Sequence, residues 1–306
     1  MRAVVARAPA KVNVHLGVGP LRPDGFHELS TVYLAVSLFD TVTAAPGDGL
    51  SLTVTGEGAD GRGADLVPTD RRNLAWRAAE LLAESAGVAA DATLAIAKSI
   101  PAAAGLAGGS ADAAAALVAL DALWATRASR ADLLALAAQL GSDVPFSLVG
   151  GVALGAGRGE QVAPVLSRTR WDWVLGIAGE GLSTPAVYGE LDRLRAAGRV
   201  PEDGLLDAEP VLGALRSGPV TALAAALAND LQAPALALRP ALGRALRAAT
   251  EAGAAAALVS GSGPTVAALA GDEQDALRLA AELAGAGVFR TVRAVHGPVP
   301  GARLVG

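Results

Sequence analysis

The stretch PAAAGLAGGSADAAAALVALDALW, Pro101 to Trp124, sets Gly105, Gly108 and Gly109 directly before a run of alanine and leucine. Glycine is a poor helix former and alanine the best. The contrast constrains this region to a pliable loop feeding a stiff helix. A helix start leaves backbone N–H groups unpaired and carries partial positive charge. Glycines before it let the backbone approach a ligand and take positive φ. Together they predict an anion site, the structural alternative being a plain turn before a capped helix. Ser110 is placed to cap that helix or to reach a metal on a bound phosphate, and Asp112 falls in its first turn. The loop is not GxxxxGK[ST], since no lysine precedes Ser110. GAGRGE and GSGPTV miss the dinucleotide spacing, and SGSGP misses the nucleophile elbow.

The surrounding pattern is mixed α and β. Residues 3–18, 29–45 and 50–56 read as strands, and 56–73 as a loop. Residues 73–85 have helical spacing, with Leu74, Ala78, Leu81 and Leu82 on one side. A strand over 92–101 ends at a proline. A helix follows at about 110–126, striped by Leu117, Leu120 and Trp124. A second helix at 129–141 has Ser129 as its N-cap and Gly141 as its terminator. Residues 142–160 read as a turn and a glycine-rich hairpin. Beyond residue 165 come a strand (WDWVLGIAG), two or three helices between 184 and 252, and a tight hairpin around Gly261–Gly263. A helix (EQDALRLAAELAGAG) and a closing strand (FRTVRAVHG) complete the half. Its order suits strand–helix–strand–strand–helix–strand. The 306 residues predict two domains, 1–165 and 166–306.

Composition removes several function classes. The net charge of −5, with no lysine/arginine-rich stretch, argues against a general nucleic-acid binder. Without cysteine there are no disulfides, thiolate nucleophiles or cysteine metal sites. His15, His27 and His296 have no paired spacing, which argues against a structural zinc. No signal-peptide pattern or membrane-spanning run is present, so the expectation is a soluble cytoplasmic protein.

Two further stretches place an isolated charge among apolar residues punctuated by glycine and proline. They are PAKVN (9–13), with Lys11, and GSDVPF (141–146), with Asp143. Each has an ordinary alternative, a solvated strand lysine or a turn aspartate. With the glycine loop they supply what phosphoryl transfer needs: a carboxylate for the attacking hydroxyl, cationic help and a phosphate cradle.

This combination resembles the galactokinase–homoserine kinase–mevalonate kinase–phosphomevalonate kinase (GHMP) superfamily, whose signature loop is here PAAAGLAGGSA. PAKVN, RPDGFHEL, NLAWRAA, the glycine loop, GSDVPF and SGSGPT follow in family order through nearly the whole chain. The glycine loop alone marks only the superfamily. PAKVN, DGFHEL and GSDVP in that order are similar to a branch that phosphorylates a cytidine diphosphate-linked methylerythritol, in the non-mevalonate route to isoprenoids. Another small-molecule kinase of the superfamily, for homoserine or a mevalonate intermediate, and a non-catalytic RNA binder on the same fold are the alternatives.

The resemblance implies an α+β protein with a two-domain GHMP-kinase fold. The N-terminal domain is expected to be like domain 2 of ribosomal protein S5, and the C-terminal one ferredoxin-like. It implies ATP with magnesium and a small-molecule substrate, without nucleic acid or membrane, in a monomer or homodimer. Asp143 is implied as general base and Lys11 as its partner. Pro101, Ala102, Ala103, Ala104, Gly105, Leu106, Ala107, Gly108, Gly109, Ser110 and Ala111 are implied around the ATP phosphates, with magnesium reaching Ser110 only through ATP. Asn73 and Lys98 match positions near the adenosine; a helix N-cap and a solvated strand lysine are their structural alternatives. Asn13, Phe26 and His27 match the part that receives the cytidine, and the SGSGPT loop borders the phosphates or is simply a hairpin turn. The family usually has tyrosine where this chain has Phe26. Stacking survives that change and the phenol's hydrogen bond does not.

Overall fold

The computed structural model describes residues 2–60, 66–179, 181–202 and 207–305, so part of the loop expected at 56–73 lies outside the described residues. β1 (Val4–Leu21) and β2 (His27–Ala45) form a long antiparallel hairpin. Both are buried through their middles, which is why the polar residues of PAKVN are not on a solvated face. Val12 and Val14 enter the core, while Lys11 and Asn13 share the opposite face. The β1–β2 register shifts between Pro9 and Ala10 and again between Asn13 and His15, irregularities that re-aim strand side chains.

β3 (Leu50–Gly56) and β4 (Ala92–Lys98) run parallel, connected through α1 (Leu74–Ala86). β5 (Val152–Ala156) pairs with β2, and β6 (Gln161–Val165) with β5. α2 (Gly108–Trp124) lies against β1, β2 and α1. Its alanines 113 to 116 are fully buried, and such small side chains let the helix sit close to the sheet. α3 (Arg130–Leu140) begins at Ser129 with a capping box to Asp132, as expected.

In the second half β7 (Trp171–Ile177), β9 (Ala256–Val259), β10 (Thr265–Leu269) and β11 (Thr291–Gly297) form an antiparallel sheet ordered β11-β7-β10-β9. With α10 (Glu273–Gly285) between β10 and β11, this is the ferredoxin-like order. The two halves share a core: Leu34, Leu94 and Leu117 belong to the same buried cluster as Trp171, Trp173 and Leu269.

Three expectations are corrected. α2 begins at Gly108, not near 110, and Ala107 holds the N-cap position, so Ser110 does not cap it. A short helix, α4 (Val144–Val149), stands before the β5–β6 hairpin; Pro145 favours its first turn, and six residues are too few to show a period. Among the described residues five helices, not two or three, lie between 184 and 252: α5 (Thr184–Ala196), α6 (Glu209–Ser217), α7 (Val220–Ala226), α8 (Gln232–Leu238) and α9 (Ala241–Glu251). Prolines at or near helix starts split the run into short pieces. The N-terminal sheet also takes two short strands from the second half: β8 (Ala228–Asn229) and β12 (Arg303–Leu304) both pair with β1.

Candidate active site

A cleft of about 870 Å³ runs between the halves. Lys11, Asn13, Phe26, His27, Asn73, Lys98 and Asp143 all line it, as do Pro101 to Gly105 and Ala107 to Ser110. Leu106 and Ala111, expected with them, turn instead into the core.

At the floor, Lys11 Nζ lies 3.8 Å from Asp143 Oδ2 and donates to Asn13 Oδ1 at 2.5 Å. Asn13 Nδ2 donates to Thr31 Oγ1 at 2.8 Å, and that hydroxyl donates to the His15 carbonyl, so the lysine's partner is itself held. Burial pushes the Lys11 ammonium down, and the nearby Asp143 opposes the shift. Asp143 occupies the N-cap position of α4, yet its side chain makes no capping bond. The carboxylate, about a third exposed, is therefore left facing the cleft. Burial first, then the Asp143 charge, push the phenols of Tyr33 and Tyr188 up, so two neutral hydroxyl-bearing rings flank this carboxylate.

At one end the glycine loop joins β4 to α2. Ala103 (φ 51°) and Ala107 (φ 59°) both hold left-handed backbone. For alanine that costs about 1–2 kcal/mol each. No side chain caps α2, so the N–H groups of its first turn are left without a side-chain acceptor. A Cβ on Gly105 would stand 2.8 Å from the Ser260 carbonyl, and one on Gly108 would stand 3.1 Å from Ile100 Cγ2. The loop is thus strained, uncapped and packed against the Ser260–Gly263 turn, features that fit a backbone cradle for phosphates. Thr265 Oγ1 donates to the Ala104 carbonyl at 2.6 Å, fastening the loop to β10. Ser110 lines the cleft beside it; among the described residues no group of three or more His, Asp or Glu converges to hold a metal.

Asn73 is the N-cap of α1. Its Oδ1 accepts from Ala75 N at 2.9 Å and its Nδ2 donates to the Pro68 carbonyl at 2.8 Å. Lys98 is not a solvated strand lysine. Its side chain is 1% exposed and donates to Asp40 Oδ2 at 2.5 Å and Asp112 Oδ2 at 2.6 Å.

At the other end, the turn after β1 presents Phe26, half exposed, with the Arg158 guanidinium 4.9 Å above its ring. His27 is buried; its Nε2 lies 2.9 Å from Asp192 Oδ1, and its ring centroid is 5.2 Å from that of Tyr188. With Nε2 engaged, His27 offers a ligand its ring face, its other nitrogen or its backbone. Sequence reading missed Arg158, Tyr188 and Asp192. Tyr188 and Asp192 sit at i and i+4 on α5, a spacing that names a helix face and not what it faces.

A strained glycine-rich loop, a carboxylate–lysine pair and an aromatic recess along one cleft match the needs of small-molecule phosphoryl transfer. Two family models match the chain, GHMP kinases N terminal domain over residues 73–151 and GHMP kinases C terminal over 211–288. The chain belongs to the GHMP kinases, a family of ATP-dependent small-molecule kinases. It is 57% identical over 304 residues to the 4-diphosphocytidyl-2-C-methyl-D-erythritol kinase of Rhodococcus jostii, covering 99% of this chain and 96% of the relative. A crystal structure of a 4-(cytidine 5'-diphospho)-2C-methyl-D-erythritol kinase superposes with a TM-score of 0.75 at 35% identity, covering 99% of each chain. A homoserine kinase from Cytophaga hutchinsonii reaches the same TM-score at 19% identity, with 100% of this chain and 98% of that one covered, a likeness of fold alone.

Proposed function

We propose that this protein transfers the γ-phosphoryl group of ATP to the 2-hydroxyl of 4-diphosphocytidyl-2-C-methyl-D-erythritol. The observation that carries the reading is the Lys11–Asp143 pair standing between the glycine loop and the Phe26–His27–Tyr188 recess. The glycine loop receives the triphosphate through backbone N–H groups. The recess receives the cytosine against Phe26, and Asn13 and His27 border the cytidine end. Asp143 takes the hydroxyl proton as the oxygen attacks phosphorus, and Lys11 orients that hydroxyl and offsets its developing charge. The Ser110 hydroxyl, on the cleft wall beside the glycine loop, would be the residue to hold a magnesium ion carried by ATP, which would offset charge on the phosphates.

In this reading the chain works in the cytoplasm as two domains, 1–165 and 166–306. β6 ends at Val165 in one sheet and β7 starts at Trp171 in the other, which supports that boundary. Among the described residues no helix is long and apolar enough to cross a membrane. The test is an ATP-dependent phosphorylation assay on 4-diphosphocytidyl-2-C-methyl-D-erythritol, with mevalonate and homoserine as controls. Turnover of the cytidine compound alone is expected; turnover of either control in its place overturns the assignment.

A further inference from the structure

Lys98 is the last residue of β4, where the glycine loop begins. Its ammonium is held between Asp40 on β2 and Asp112 on α2. Asp40 uses its other oxygen to accept from Ser99 N at 2.6 Å and Ile100 N at 2.8 Å, the first two amides of the loop. At the loop's far end, Lys98 Nζ lies so close to Gly108 that a Cβ there would stand 3.4 Å from it. A single buried cation therefore touches the departure of the loop through Asp40 and its arrival through Asp112. The three side chains are 1%, 0% and 2% exposed. Lys98 and Asp112 reach the cleft wall, and Asp40 is not among the residues that line it.

The loop held in this way is strained. Ala103 and Ala107 sit in left-handed backbone, and such conformations persist only when the surroundings over-determine them. The middle of the loop has its own fastenings, Thr265 to the Ala104 carbonyl and Lys11 N to the Leu106 carbonyl. The ends have the Asp40–Lys98–Asp112 triad.

We propose that Lys98 is a positioning residue whose ammonium, clamped by Asp40 and Asp112, fixes both ends of the glycine loop in the shape that receives ATP, without itself contacting the nucleotide. This rests on the reading that the loop is the ATP site. The charge state fits the task. Two ionised carboxylates around one ammonium would leave a net negative charge beneath the phosphates. Asp40 accepts from three donors, whereas Asp112 Oδ1 is buried without a partner, so a proton is best placed on Asp112. In keeping with this, burial pushes Asp112 up to about 8, with Lys98 opposing and Asp40 adding to the shift.

The experiment uses steady-state kinetics with ATP varied, together with calorimetric titration of ATP and, separately, cytidine diphosphate, on variants shown to be folded by circular dichroism. Lys98→Met and Asp40→Asn are each expected to raise the KM for ATP by about tenfold or more, while kcat at saturating ATP stays within about threefold, as for loss of uniform binding. Cytidine diphosphate affinity should not move. Asp112→Leu should raise the KM for ATP as well, and the isosteric, neutral Asp112→Asn should restore it, a rescue that a purely structural role would not show. Should Lys98→Met fail to fold, the Asp40 and Asp112 variants still decide. An unchanged KM for ATP in folded Asp40→Asn, with ATP binding lost in Lys98→Met, would mean that Lys98 contacts the nucleotide directly and would overturn the proposal. Unchanged KM in both Asp40→Asn and Asp112→Leu overturns it too. If the unmodified protein takes ATP but Gly108→Val does not weaken that binding, the site reading fails and not the clamp alone.

Discussion

Lys11 is a buried lysine whose nearest carboxylate lies 3.8 Å away, beyond hydrogen-bond distance, and whose firm bond is to an amide oxygen. That spacing leaves Asp143 able to accept from a substrate hydroxyl without first surrendering a strong partner. Asp143→Asn keeps the shape and removes the base. Phosphoryl transfer in single turnover is expected to fall by about 10²–10⁴-fold, with both substrates still bound. Lys11→Ala should also slow the step, and the double variant should lose less than the two effects combined, because both act on one hydroxyl. A near-normal rate in Asp143→Asn would remove it from the mechanism. Phe26 supports a second residue-scale expectation. Being half exposed and stacked under Arg158, it is not a core residue. Phe26→Ala should therefore weaken binding of the cytidine substrate by about 1–3 kcal/mol. Calorimetry should find ATP binding unaffected; a melted fold with normal affinity per folded molecule would show the ring to be structural instead.

The glycine loop and α2 act as one element. A loop that takes left-handed backbone at two alanines and leaves its helix without a side-chain cap gives up stability. A serine cap at the N-terminus would have placed a side-chain oxygen where an anion must sit. The local reading of Ser110 as cap misses the start of α2 because the N-cap position is held by Ala107, which has no side-chain acceptor to signal it. Gly108→Val places a branched side chain against Ile100 and the Lys98 ammonium, at 3.1 and 3.4 Å from its first carbon. Overpacking of this kind costs about 1–3 kcal/mol, so ATP affinity should drop roughly tenfold to a hundredfold. Titration of ATP into the folded variant checks this, and unchanged affinity would refute the cradle. The glycine–alanine contrast was legible because backbone freedom and helix propensity are local properties. Lys98 was not legible, since the residues that make it a buried triad come from β2 and α2.

For the whole molecule the same triad sets a pH dependence. Burial raises Asp112 from the ordinary 3.8 to about 8 in the folded protein. Between those values the folded chain binds a proton that the unfolded chain has released, so stability falls as pH rises. This contribution is intact below about pH 4 and is lost as pH passes through 8. Denaturant midpoints measured across that window should decline in the unmodified protein and flatten in Asp112→Asn; equal slopes would place the titration elsewhere. At this scale the division between sequence and tertiary structure is plain. Sequence by itself determined the order of the principal strands in both halves, a helix read at 73–85 and found at Leu74–Ala86, the tight turn at Gly261–Gly263, and the three motifs that carry charge or glycine. Each is written in periodicity, capping residues or backbone freedom, which act over a few neighbours. Only the tertiary structure decided that β8 and β12 return to the first sheet, that the described residues of 184–252 break into five helices, and that Tyr188, Asp192 and Arg158 meet Phe26 and His27. Those outcomes depend on which buried faces find each other across long chain separations, and no local spacing encodes that pairing.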